Sequence, residues 1–181
     1  MTPFAVRSVG EDERAALVVH FLALPMRDRC LRFGMSLAPT VIAAYVDRID
    51  FTRDAVFGVC DDRYALVGAA HLALENGVVA ELALSVLPEY RARGMGSALF
   101  EHSVAQAGER GTQEIVMRCL TGNTPVVRMA RRFGMSIVTL DGLSDARLAL
   151  MPTRRVGPLG VEPLAAVACA AIERACGMAR I

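Results

Sequence analysis

The chain has no tryptophan and few aromatic residues, which removes one common stacking anchor for bases or sugars. It also has no basic run: 20 Lys and Arg stand against 19 Asp and Glu for a net charge of +1, so the footprint of a nucleic-acid binder is missing and DNA or RNA is not an expected partner. No stretch approaches the roughly 20 apolar residues needed to span a bilayer. The amino terminus lacks a charged segment leading into a continuous apolar run and a small-residue cleavage site. The expectation is a cytoplasmic protein without a membrane partner. Cys30, Cys60, Cys119, Cys169 and Cys176 are odd in number and form no C-x-x-C pair, which argues against a disulfide framework, against structural zinc and for reduced, mostly buried thiols. No metal is expected. His20 and His71 have no partner at a spacing that specifies a triad or a metal cluster, and read as core or surface residues.

What is present is apolar: 54% of 181 residues are hydrophobic, enough for one well-buried core. The expected organisation is one domain over 1–151, followed by 152–181 as a proline- and glycine-containing linker and a helix. That helix, Leu164 to Cys176, is alanine-rich and too apolar for water, so it packs on its own domain or, in the favoured reading, on a homodimer partner.

Phe4 to Val9 reads as a first strand, followed by helical segments opening at Glu11-Asp12-Glu13, around Arg27 to Phe33, and after Pro39. Ala55–Cys60 and Ala65–Leu74 read as a hairpin around Asp61-Asp62-Arg63. Asn76-Gly77 supplies a second tight turn into a strand, Val78 to Val86. A helix from Gly94 to about Glu109 connects this strand to Glu114–Leu120, which makes the two strands parallel; His102 on that helix reads as a packed side chain. Thr124-Pro125 opens another helix, closed by Gly134, and strands Met135–Leu140 and Ala146–Met151 flank a turn at Asp141-Gly142.

The segment Arg91-Ala92-Arg93-Gly94-Met95-Gly96-Ser97 lies between a strand and a helix, where backbone N–H groups and the free N–H groups of the first helical turn converge on an anion. Gly94 and Gly96 let a pyrophosphate approach the backbone, and Arg91 and Arg93 add positive charge. A dinucleotide fingerprint needs a third glycine and a P-loop needs a Gly-Lys-Ser/Thr ending; both are missing. The plain alternative is a turn that merely joins strand to helix.

In this context Arg91-x-x-Gly94-x-Gly96, after Leu84-Ser85-Val86-Leu87-Pro88, resembles the acetyl-CoA-binding motif of GNAT acetyltransferases, and Asn123 through Phe133-Gly134-Met135 is similar to the second cofactor motif of that superfamily. The resemblance covers roughly Phe4 to Met151. It implies an α/β (α+β) fold: a mixed, twisted, mostly antiparallel sheet splayed at the cofactor site between the strands ending near Val86 and Leu120, with helices on both faces. It further implies that the backbone of Leu84, Ser85 and Val86 takes the pantetheine arm of acetyl-CoA, that Arg91, Ala92, Arg93, Gly94, Met95, Gly96 and Ser97 take the pyrophosphate, and that Asn123 helps hold the arm. Arg128, Arg131 and Arg132, on the second-motif helix, either meet cofactor phosphates or stay solvated, the latter favoured for at least two of them.

Acetyl transfer to an amine needs a deprotonated nucleophile, and a lysine with a pKa near about 10.4 is almost wholly protonated at neutral pH. Glu81, in an otherwise apolar strand, is the expected catalytic base, with burial raising its pKa; if the strand is regular, Glu81, Ala83 and Ser85 share a face. The alternative for Glu81 is a partner arginine or solvent at a sheet edge. The position where many GNAT enzymes carry an acidic tyrosine is Ala130, which leaves water, a hydroxyl such as Ser85, or no dedicated acid. Ala80-Glu81-Leu82-Ala83, Arg32-Phe33 and Met129 to Met135 resemble segments of bacterial protein-lysine acetyltransferases, which favours a protein lysine over a small amine as acceptor. A non-catalytic acyl-CoA-binding module is the rival class, and Ala130 is the feature that favours it.

Overall fold

The computed structural model describes residues 4–74 and 78–150, and all structural statements concern these. Seven strands form one sheet in the order β1-β2-β3-β4-β5-β7-β6: β1 (Arg7–Ser8), β2 (Ala55–Cys60), β3 (Leu66–Leu74), β4 (Val79–Val86), β5 (Glu114–Leu120), β6 (Ser136–Leu140) and β7 (Leu143–Ala149). Only β4 and β5 run parallel; every other pair is antiparallel. The parallel pair follows from its connection, helix α4 (Met95–Glu109), which returns the chain to the same end of the sheet.

Side chains alternate across β4, and the two faces bury different helices. Ala80, Leu82 and Val86 join Leu72 of β3 and Met95 and Leu99 of α4 in the larger core. Helix α5 (Thr124–Arg132) closes that core with the fully buried Ala130, and Phe133 beyond it stacks on Phe100 at 4.3 Å between centroids. The opposite face takes α1 (Arg14–Ala23), α2 (Met26–Phe33) and α3 (Pro39–Asp47), whose Leu17, Phe21, Phe33, Ile42 and Val46 pack on Val56, Leu66 and Ala69. Pro39 at the first position of α3 is preorganised for a helix and needs no partner for a missing N–H. His102 lies edge-on to Phe57 at 4.7 Å, a packed side chain as its place on the helical stripe predicts.

The sheet departs from the expected strands at its two ends. The first strand is two residues instead of Phe4 to Val9, because it meets only Gly58 and Phe57 of β2 at the sheet edge. The last strand begins at Leu143, earlier than Ala146, since Ser144 and Asp145 find polar partners within the sheet: Thr139 Oγ1 lies 3.0 Å from Ser144 Oγ, and Arg118 approaches Asp145. Asp141 and Gly142 turn β6 into β7 with φ of 48° and 81°, the left-handed pair of a tight hairpin. Cys60 and Cys119 are free thiols, as is Cys30. The Asn76-Gly77 turn and the helix Leu164 to Cys176, with its homodimer reading, lie outside the described residues.

Candidate active site

The pairing of β4 with β5 ends early. Val79, Ala80 and Glu81 pair with Glu114, Ile115 and Val116, and no pairing follows, although β4 continues to Val86 and β5 to Leu120. The sheet splays from Glu81 onward, where the resemblance places the gap. The register of β3 against β4 is unbroken from Gly68↔Val86 to Leu74↔Ala80, and the Leu87 N–H donates to the Val67 carbonyl at 2.9 Å. That bond fixes the phase of the antiparallel ladder: positions 81, 83 and 85 turn their backbone groups to β3, and 82, 84 and 86 turn theirs toward the gap. Leu84 and Val86 therefore offer backbone N–H and C=O groups to the gap, and the Val86 carbonyl already accepts from Arg91 Nε at 2.9 Å.

At the open end of the gap, a short 3-10 turn (Pro88–Tyr90) leads into the exposed loop Arg91 to Gly94. Ala92 and Gly94 have φ of 59° and 89°, and Gly94 ends the turn as the residue before α4. The first N–H groups of α4, on Met95, Gly96 and Ser97, have no partner within the helix, and a helix N-terminus favours negative charge. A Cβ built on Gly94 or Gly96 meets nothing within 4 Å, so the space beside both is open. Arg91 Nη2 bonds Asp28 of α2 at 2.8 Å, Arg93 Nη2 donates to the Glu89 carbonyl at 2.9 Å, and Arg132 of α5 reaches Ser97 Oγ at 3.4 Å. Unpaired strand groups followed by a cationic helix N-terminus suit an amide-bearing arm that ends in pyrophosphate. Asn123, buried before α5, donates from Nδ2 to the Leu31 carbonyl at 3.4 Å and so ties α2 to α5 beside the gap.

Not all of the expected residues meet there. Ser85 turns its backbone to β3, and its hydroxyl is buried on the α1 face with His20. His20 Nδ1 faces the Leu66 carbonyl at 3.0 Å, which only accepts, so Nδ1 carries the proton and Nε2 accepts from the Ser85 hydroxyl at 2.8 Å. Burial, helped by the Arg32 cation and opposed by the bond to Leu66, pushes His20 down to about 4. The unfolded chain therefore binds a proton near the ordinary value of 6.5 that the fold refuses. Stability from this group is complete above that value and falls as pH drops from 6.5 toward 4, by on the order of 3 kcal/mol. Chemical unfolding of native protein and His20→Gln across that window checks this; a native midpoint that falls no more steeply than the variant's would contradict it.

Glu81 lies at the last paired position before the gap, half-buried, and Arg118 Nη1 donates to its Oε2 at 2.7 Å. Glu81, Ala83 and Ser85 do share a face, and no bulge against β3 disturbs it. Arg118 continues the charges across the sheet: its Nε lies 3.7 Å from Asp145, which in turn lies 3.5 Å from Arg147, itself bonded to Glu114 at 2.9 Å. Sequence reading missed Arg118 because it sits in the apolar run Glu114 to Leu120; an arginine in a buried strand was the available signal. Also missed was a chain on the same face. Tyr45 Oη lies 2.7 Å from His71 Nδ1, and His71 Nε2 lies 3.2 Å from Asp54 Oδ2. Among the described residues no cluster of His, Cys, Asp or Glu suits a metal ion, and no helix is long and apolar enough to cross a membrane.

A splayed sheet with backbone groups turned to the gap, and a loop and helix N-terminus at its mouth, is an arrangement that suits an acyl-CoA cosubstrate. The sequence model of the acetyltransferase (GNAT) family matches residues 28–135, and the chain belongs to that family, the acetyl-CoA-dependent N-acetyltransferases. Solved structures share the fold. The GNAT domain of PAT from S. lividans superposes with a TM-score of 0.68 at 20% identity over 80% of this chain and 89% of that one. The putative acetyltransferase yncA from Salmonella typhimurium, solved with its cofactor acetyl-CoA, gives 0.67 at 13% identity over 86% and 99%. The ribosomal-protein-S18-alanine N-acetyltransferase from Escherichia coli gives 0.64 at 16% over 84% and 98%. Among curated protein sequences, none matches.

Proposed function

We propose that the chain transfers the acetyl group of acetyl-CoA to the side-chain amine of a lysine in a protein or peptide, with Glu81 as the base that takes the amine's proton. The observation that carries this reading is the place of Glu81: it is the last residue joined to β5, so its carboxylate stands where the gap begins and where an arm laid along Leu84 and Val86 would end. Leu84 and Val86 hold the arm through their backbone, the loop from Arg91 to Ser97 holds the pyrophosphate, and Asn123 braces the gap. The cosubstrate supplies a thioester carbonyl, and the protein supplies orientation and proton removal. Ala130 is fully buried in the core, so α5 presents no acid at that position and the leaving sulfur draws its proton from elsewhere.

Support for a protein acceptor comes from Ala80-Glu81-Leu82-Ala83 and from the likeness to the PAT domain. Among the described residues β6 is the edge strand, with Val138 and Leu140 exposed at 56% and 52%, and an extended peptide can pair with such an edge. The test is release of the CoA thiol with a panel of lysine peptides, intact proteins and small amines. Turnover with peptides or proteins well above that with small amines is the expected result. The reverse preference overturns the acceptor, and tight acetyl-CoA binding without turnover on any acceptor moves the chain to the non-catalytic module.

A further inference from the structure

Three donors of Arg91 are committed within the protein itself. Its N–H donates to the Pro88 carbonyl at 3.2 Å and closes the 3-10 turn, its Nε donates to the Val86 carbonyl at 2.9 Å, and its Nη2 donates to Asp28 Oδ2 at 2.8 Å. Nε and Nη2 form a fork of the kind with which arginine clamps a carboxylate or a phosphate, and here that fork is divided between a carbonyl and a carboxylate. The two acceptors stand on different elements. Val86 ends β4, while Asp28 lies in the first turn of α2, where a carboxylate also suits the helix N-terminus. One side chain thus joins the end of β4 to α2. On the other side of the gap, the carbonyl of Leu31, in the last turn of α2, takes the Asn123 Nδ2 hydrogen at 3.4 Å, and α2 packs against both β4 and β5.

The peptide between Val86 and Leu87 is held from both ends. Its N–H donates to the Val67 carbonyl at 2.9 Å, and its carbonyl, turned to the gap, accepts from Arg91 Nε. A carbonyl oxygen has two lone pairs, so the bond to Arg91 leaves one for an amide N–H of a bound arm and fixes the plane in which it is offered. We propose that Asp28 and Arg91 are a positioning pair for the pantetheine arm of acetyl-CoA: Asp28 orients the guanidinium, and the guanidinium sets the Val86 carbonyl. The pyrophosphate is left to the N–H groups that open α4 and to the rest of the loop. This rests on acetyl-CoA lying in the gap with its arm along Leu84 and Val86. It gives Arg91 a different task from the one its place in a glycine loop suggests, which is to add positive charge at the phosphates.

The charges agree with this division. A carboxylate beside an anion site repels the anion and competes with it for the same guanidinium, so Asp28 would oppose an Arg91 that served the phosphates. As a partner that orients Arg91 it opposes nothing, because the two charges offset each other at 2.8 Å, with the Asp28 side chain 18% exposed. The two tasks therefore predict responses of different sign. Arg91→Gln removes a positive charge and Asp28→Asn removes a negative one, so a role in anion binding moves phosphate affinity in opposite directions. A positioning role moves arm affinity in the same direction in both variants.

The test splits the cosubstrate into its halves. Acetyl-pantetheine carries the arm without the pyrophosphate, and 3′-phospho-ADP carries the pyrophosphate without the arm; each is titrated against acetyl-CoA on the native protein and the variants. Acetyl-pantetheine is expected to bind about tenfold more weakly to Arg91→Gln and to Asp28→Asn, with the double variant no weaker than Arg91→Gln alone, as for residues that act as a unit. Arg91→Lys keeps the charge but cannot span a carbonyl and a carboxylate, and it is expected to lose arm affinity as Arg91→Gln does. The affinity for 3′-phospho-ADP should stay within about threefold of native in every variant, since the exposed charges are screened. Binding of 3′-phospho-ADP that weakens in Arg91→Gln and strengthens in Asp28→Asn overturns the pair. So do folded variants that melt earlier yet bind acetyl-pantetheine like the native protein, which would make the pair a brace of the fold alone. A native protein that binds acetyl-CoA no better than 3′-phospho-ADP overturns the placement of the arm along β4, and the pair falls with it.

Discussion

Gly94→Val is expected to weaken acetyl-CoA binding by about a hundredfold, since holding a β-branched residue in the left-handed region costs about 1–3 kcal/mol and the side chain also enters the space above the loop. Gly94 has φ of 89° as it hands the chain from the loop to α4. Valine there either accepts the strain or swings the first N–H groups of α4 out of convergence, and either course spoils the anion site. A Cβ at position 94 meets no other part of the protein within 4 Å. Strain that the free protein retains should lower its thermal midpoint by about 2–12 °C, while the loss of affinity is read separately on folded protein. Gly96→Ala separates the two effects, because position 96 adds bulk without a positive φ and should cost less. Calorimetric titration with acetyl-CoA and with CoA measures both. A Gly94→Val protein that binds like the native one would mean that the loop does not hold the pyrophosphate.

This loop was legible because its requirements are local: a strand, a left-handed glycine and a helix start within a few residues. The strand order around it was legible for the same reason. A helix between Val86 and Glu114 dictates parallel neighbours, and Asp141-Gly142 dictates a tight turn. The splay itself came from resemblance alone, since no residue in β4 or β5 announces that pairing stops after Glu81 and Val116. Least legible were the polar groups that meet across the sheet. Glu81 and Arg118 are 37 residues apart, Tyr45 and His71 are 26 apart, and Asp54 and His71 are 17 apart, so no periodicity within one element joins them. His20, read from the sequence only as a core or surface residue, is buried, and its bond to Ser85 spans 65 residues and changes what the serine is available for. A hydroxyl that donates to a buried neutral imidazole is held away from the gap, and it no longer stands as a ready source of protons for the leaving thiolate.

The ion pair at Glu81, the arginine partner that the sequence offered as the alternative to a free base, makes the outcome of Glu81→Gln informative. Glutamine keeps the shape and still accepts a hydrogen bond from Arg118, so the half-buried guanidinium loses a charge partner without losing all contact, and Asp145 remains 3.7 Å away. The stability cost should stay near that of a partly exposed pair, about 1 kcal/mol or less. The cradle proposed for acetyl-CoA, on Leu84, Val86 and the loop, lies beyond the start of the splay and should bind as before. If Glu81 takes the acceptor's proton, kcat should fall by about 10²- to 10⁴-fold, and the rate should climb with pH as the free amine appears without help. Arg118→Gln provides the opposing control: it frees the carboxylate from its pair and leaves the base in place. Rate loss confined to Glu81→Gln assigns the proton to the carboxylate. Equal loss in both variants would instead assign the effect to the ion pair, with Glu81 and Arg118 together setting the edge of the gap, and would leave the base to be found among the neighbouring groups on that face.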